Sequence, residues 1–156
     1  MLSLSEWINV SCLFIVLFFA VLQDLKTQKI KNEVNVAGTV LGVFLAIVLP
    51  ERDVLMSLLG VGVLFVAGLI CWNLKFFRAG DAKLLCVVGA FVEWKMGLNI
   101  LLIAVMCGAV IGLPFVIRRI IKKEKGLTKM PFSISIAVAC IIGLRFGYLW
   151  DIISFL

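Results

Sequence analysis

Phe76-Phe77-Arg78-Ala79-Gly80-Asp81-Ala82-Lys83-Leu84-Leu85 sets a carboxylate at the threshold of an apolar segment. The chain around it is mostly hydrocarbon: of 156 residues, 63% are hydrophobic and 15% charged, with a mean hydropathy of +1.20. A soluble domain carries roughly 25% charged residues and under half apolar ones. The surplus apolar surface needs lipid, which predicts an integral membrane protein. One domain over residues 1–156 is the natural division.

Six apolar runs follow one another, at 8–22, 34–49, 54–74, 82–92, 96–117 and 131–150. They predict an all-α, polytopic bundle of six transmembrane helices. The first run follows Glu6 rather than a basic segment and lacks a small-residue cleavage site, so it reads as a retained helix rather than a signal peptide. The fourth is short. At 1.5 Å per residue its 11 residues do not cross a hydrocarbon core of about 30 Å unaided. Either the helix takes in the flanking motif or the bilayer thins around it.

Charge sets the orientation. With the amino terminus outside, 12 Lys and Arg fall on the inner side and at most three (Arg52, Lys95, Arg145) on the outer. This bias predicts both termini outside, and it accounts for the net charge of +6 without nucleic acid. Tyr148 and Trp150 suit interfacial anchors. G-x-x-x-G spacings at Gly38/Gly42, Gly108/Gly112 and Gly143/Gly147 predict close helix packing and set no oligomeric state.

The chain contains no histidine, which removes His-based general base catalysis, Ser-His triads and most zinc sites. Its five cysteines are scattered singly, as buried small apolar residues are. They indicate no metal, and no cofactor is expected. Two carboxylates stand out instead. Asp24 closes the first run and Asp81 opens the fourth, both on the inner side. A carboxylate beside hydrocarbon is costly and marks a functional candidate. Taken singly, each could pair with a lysine (Lys26 or Lys83), and Asp81 could cap a helix. Together they can do more. Like charges in one site do not both ionise easily, so one acid stays protonated while the other serves as a base. Such a pair can hydrolyse an amide without metal, histidine or serine.

Three segments carry a resemblance. Asp24-Leu25-Lys26-Thr27-Gln28-Lys29-Ile30-Lys31-Asn32 resembles the D-x-[K/R]-x-x-x-I-P-N segment of type IV prepilin peptidases. Arg78-Ala79-Gly80-Asp81-Ala82-Lys83-Leu84 resembles their G-x-G-D-x-K-L motif, and Lys129-Met130-Pro131-Phe132-Ser133 the K-x-P-[F/Y]-[G/A/S] start of their last helix. The resemblance implies a membrane aspartic endopeptidase with Asp24 and Asp81 as its catalytic pair. It also implies a prepilin-like substrate whose basic leader is removed after a glycine, at the cytoplasmic face of the inner membrane. Longer members of that family carry C-x-x-C pairs for zinc and methylate the new amino terminus. The short 23–33 connection holds no cysteine, so the chain resembles the peptidase-only kind serving Flp-type pili or archaeal preflagellins.

Supporting roles fall to Gly80, Lys26, Lys83 and Arg78. Gly80 is expected to allow a tight turn before Asp81. Lys26 and Lys83 could hold the carboxylates or contact lipid phosphate. Arg78 stands where the family has its first glycine, and Lys31 where proline follows the isoleucine. A cation three residues from Asp81 favours its ionised form, so Asp81 is expected to be the base. Asn32 and Asn35 are expected to cap the second helix. A Ser133/Lys129 nucleophile pair is disfavoured by the intervening Pro131. The other readings are a small ion-coupled transporter and a structural membrane subunit. Neither acid lies at mid-depth and no inverted repeat is evident, which counts against a transporter.

Overall fold

The computed structural model describes residues 4–27, 30–49, 52–74, 78–122 and 132–146, with side chains omitted at 113–122 and 145–146. These residues form six helices and no strand: α1 Leu4–Thr27, α2 Asn32–Val48, α3 Val54–Asn73, α4 Ala79–Phe91, α5 Trp94–Lys122 and α6 Phe132–Phe146. Three segments are long and apolar enough to cross a membrane: Leu4–Thr27, Val54–Asn73 and Trp94–Gly112. Asn32–Val48 and Phe132–Leu144 are shorter apolar helices. Trp7, Phe18 and Phe19 on α1, Val36, Val40 and Phe44 on α2, and Phe65, Val66 and Ile70 on α3 are exposed. Apolar belts of that size need a lipid solvent, as a membrane protein has.

α4 lies at the centre. Its Ala-Lys-Leu-Leu-Cys-Val-Val-Gly-Ala-Phe sequence is apolar on every side except at Lys83, and Leu84, Leu85, Val87, Val88, Ala90 and Phe91 are all buried. A helix apolar all round belongs in a core. α2 and α3 make its main contacts, and α1, α5 and α6 also touch it. The helix takes in the motif: it begins at Ala79 rather than 82, so Asp81 sits in its first turn. Even so, its 13 residues measure only about 20 Å. Its carboxyl end, at Phe91 and Val92, is buried, whereas Ala79 at the amino end is exposed.

A helix ending inside a protein leaves its last carbonyls without partners. Side chains from three other segments supply donors here. Asn9 Nδ2 donates to the Phe91 carbonyl at 2.9 Å. Ser57 Oγ (2.7 Å) and Arg52 Nη2 (3.2 Å) both donate to that of Ala90. Arg52 Nη1 also donates to Asn9 Oδ1 at 2.6 Å, closing the cluster. A cation suits the negative end of a helix dipole. Burial works against the Arg52 charge, and the nearby Glu93 carboxylate works for it.

Between helices in lipid, packing replaces the hydrophobic drive, because tails are as apolar as leucine. Gly60 of α3 and Gly89 of α4 bring two backbones into contact, and a Cβ on either would overlap the other's carbonyl. The predicted Gly38/Gly42 pair faces α4. A Cβ at Gly38 would lie 2.9 Å from Val87, and one at Gly42 would lie 2.7 Å from the Ala90 Cβ. Gly108 meets the Phe132 ring of α6, and Gly143 meets Ile100 of α5.

Several expectations shift. α1 runs past the first apolar stretch at both ends, and α5 continues from 117 to Lys122. Neither asparagine caps α2. Lys31 occupies the cap position, Asn32 is the first helical residue, and Asn35 lies inside the helix, buried. Gly147, Tyr148, Trp150 and residues 123–131 lie outside the described residues. Gly89→Ala is expected to destabilise by about 1–3 kcal/mol through overpacking. Gly62, whose Cβ would meet nothing within 4 Å, should tolerate alanine. Thermal unfolding of both variants in detergent checks the contrast.

Candidate active site

Asp24 lies one turn before the end of α1, and Asp81 in the first turn of α4; they are 4% and 3% exposed. Both line one cavity of about 310 Å³, together with Ile30, Asn32, Arg78, Ala79, Gly80 and Lys83. Water claims about 30 Å³ per molecule in the liquid, so the space admits a peptide group and a water with room to spare. Residues 57 positions apart in sequence thus share one chamber.

Each carboxylate has a fixed partner. Asp81 Oδ2 accepts the Arg78 backbone N–H at 3.1 Å. That contact is one half of a capping box. Arginine's side chain carries only donors, so it cannot accept in return. Asp24 Oδ2 accepts the Ser133 hydroxyl at 2.6 Å, and Ser133 is fully buried in the first turn of α6.

Asp81 stands at the open end of α4, outside the three helices of spanning length. Burial pushes its carboxyl up from an ordinary 3.8 to about 6. The Arg78 N–H opposes this, the Asp24 charge adds to it, and the Arg78 cation is the weakest influence, opposing it. The expectation that Arg78 would make Asp81 the base therefore meets a larger opposing effect, desolvation.

The supporting residues divide. Lys83 lines the cavity, yet its Nζ donates to Asn32 Oδ1 at 2.7 Å, joining α4 to the start of α2. Lys26 is exposed in the last turn of α1 and is not part of the cavity wall. Gly80 is helical rather than part of a tight turn, and a Cβ there would touch Ile30 at an ordinary 3.7 Å. Its smallness widens the chamber; no backbone strain demands it. Lys129 lies outside the described residues, and the recorded partner of Ser133 is Asp24. Sequence reasoning placed Ser133 in a motif without finding that partner. The available signal was a hydroxyl at the start of the last apolar run, inside a motif already singled out.

The match to known families agrees with this geometry. The family described as type IV leader peptidase matches residues 11–113, a stretch that contains both aspartates. The chain belongs to the type IV leader peptidase family. No curated protein and no solved structure matches it. In this family member Ser133 lies beyond the matched stretch, so the α1–α6 hydrogen bond is a feature of the fold rather than of the match.

Two measurements probe the site. A folded-state value above the unfolded one means the folded chain holds the Asp81 proton more tightly, so stability is lost as pH rises from about 4 to about 6. Wild-type Tm in detergent should fall across that interval relative to Asp81→Asn, which has no proton to lose. Ser133→Ala should cost roughly 10–100-fold in kcat, the worth of a hydrogen bond to a charged group. KM should stay unchanged, as measured by leader-cleavage kinetics.

Proposed function

We propose that the chain is an aspartic endopeptidase that removes the basic leader of prepilin-like proteins at the cytoplasmic face of the inner membrane. One observation carries this reading: Asp24 and Asp81, both buried, line the same cavity. Membership of a leader peptidase family supplies the substrate class. The charge bias supports six membrane-embedded helices with both termini outside, and with that topology the cavity falls at the cytoplasmic rim of the bundle. A substrate whose apolar helix stays in the bilayer presents its leader at that depth.

The roles follow from the hydrogen bonds. Asp24 is the base. Its carboxylate, held by Ser133, takes a proton from water, and the hydroxide attacks the scissile carbonyl. Asp81 is the acid. Burial raises its affinity for a proton, and in the protonated form it gives that proton to the carbonyl oxygen as charge develops there. When the tetrahedral intermediate collapses, Asp24 returns its proton to the leaving amine and Asp81 regains one from the diol. The pair ends as it began. Apparent titrations belong to the two together.

The test uses the full chain in membrane vesicles with a prepilin-like protein whose basic leader ends in glycine. Asp24→Asn and Asp81→Asn, each alone, should lower cleavage by about 10²–10⁴-fold. Undiminished processing by either variant overturns the proposal.

A further inference from the structure

A second cavity of about 340 Å³ opens between α2 and α4, lined by Asn32, Asn35, Val36, Thr39, Val40, Lys83 and Cys86. It shares Asn32 and Lys83 with the aspartate chamber, so the two adjoin at that pair. Val36, Val40 and Cys86 give it an apolar stretch, Asn32, Thr39 and Lys83 a polar one, and one residue stands out. Asn35 is 3% exposed, and neither its Nδ2 nor its Oδ1 has a hydrogen-bond partner. Buried polar groups are nearly always satisfied, and an orphan calls for an explanation. Thr39 does not supply one, because its hydroxyl donates to the Asn35 carbonyl within α2.

We propose that this groove binds, in extended form, the first apolar residues after the cleaved bond of the leader-bearing substrate, with the Asn35 carboxamide pairing to a peptide group of that segment. This rests on the leader peptidase reading. Three properties select that occupant. A carboxamide offers a donor and an acceptor side by side, which complements a backbone N–H and C=O. Helical peptide groups are already paired internally, so only an unwound stretch can use Asn35. Val36, Val40 and Cys86 give the groove an apolar stretch that suits the apolar side of the cut better than a basic leader. From Asn32 to Val40 the groove runs about 12 Å along α2, room for about four extended residues. It leads away from the chamber along an apolar helix, as a segment anchored in the bilayer requires.

The experiment uses the full chain in phosphatidylethanolamine/phosphatidylglycerol vesicles, with a synthetic peptide carrying a basic leader, a glycine and a 20-residue apolar helix. Photo-reactive benzoylphenylalanine replaces Val40, or Val66 on α3 as a control; both native side chains are exposed. The Asp24→Asn background prevents turnover. Support is a peptide adduct from position 40 that excess unlabelled peptide abolishes, with none from position 66. Lipid adducts alone, or equal adducts at both positions, overturn the proposal. Asn35→Leu should raise KM for this peptide about tenfold, leave kcat nearly unchanged and keep or raise Tm. A peptide ending two residues after the cut should be cleaved equally by both enzymes. An unchanged KM for the long peptide overturns the proposal. A competitive adduct from position 40, together with no cleavage of the peptide by the chain with both aspartates intact, sinks the peptidase reading and leaves the groove standing.

Discussion

A short helix packed against five others and ending among them must have its buried carboxyl end satisfied by protein. The three donors from Asn9, Arg52 and Ser57 meet that need at the carboxyl end of α4. At the amino end Asp81 turns back to the Arg78 N–H, placing a carboxylate at the positive pole of the helix dipole. The carboxylate that lines the chamber is thus also the group the helix end needs. This double use explains how a charge-bearing group persists in so apolar a bundle. Asp81 reaches a buried position because the helix it begins is itself buried.

The surrounding helices are shaped to that central rod. Where side chains would hold α3 and α4 apart, Gly60 and Gly89 let the two backbones touch, and Gly38 and Gly42 make room for the Val87, Ala90 and Phe91 side chains of α4 against α2. In lipid, each such contact contributes dispersion that a larger residue would forfeit. The tight faces and the polar ends act together. Glycines set how closely the helices approach, and the hydrogen bonds at the α4 carboxyl end fix how far along each other they sit.

Much of this could be read in the linear chain. Hydropathy located all six helices, because apolar runs in lipid leave little choice of element, and the acid-bearing motifs pointed to Asp24 and Asp81. What stayed hidden was tertiary. Asn35 resembles a cap by residue type and position, yet Lys31 ends the extended segment and Asn35 falls one turn inside. Gly80 reads as a turn residue, but the helix begins a residue earlier and absorbs it. Ser133 meets Asp24 across 109 residues, and Gly60 meets Gly89 outside any G-x-x-x-G spacing. The Arg78 argument weighed a neighbouring cation without the desolvation that outweighs it. Each miss came from local reasoning about a group whose surroundings are set by distant residues.

α1 touches the central helix's surroundings twice, through Asn9 at one end and through Asp24 in the chamber at the other. Those two residues lie about 22 Å apart along α1. A rod pinned at its far tip does not slide lengthwise past its neighbour without breaking that pin. The axial register of the two acids is therefore held from the opposite side of the bundle, by an amide that never meets the scissile bond. Any opening that admits a polypeptide must come from hinging or rolling about that anchor, with α6, tied to Asp24 through Ser133, carried along.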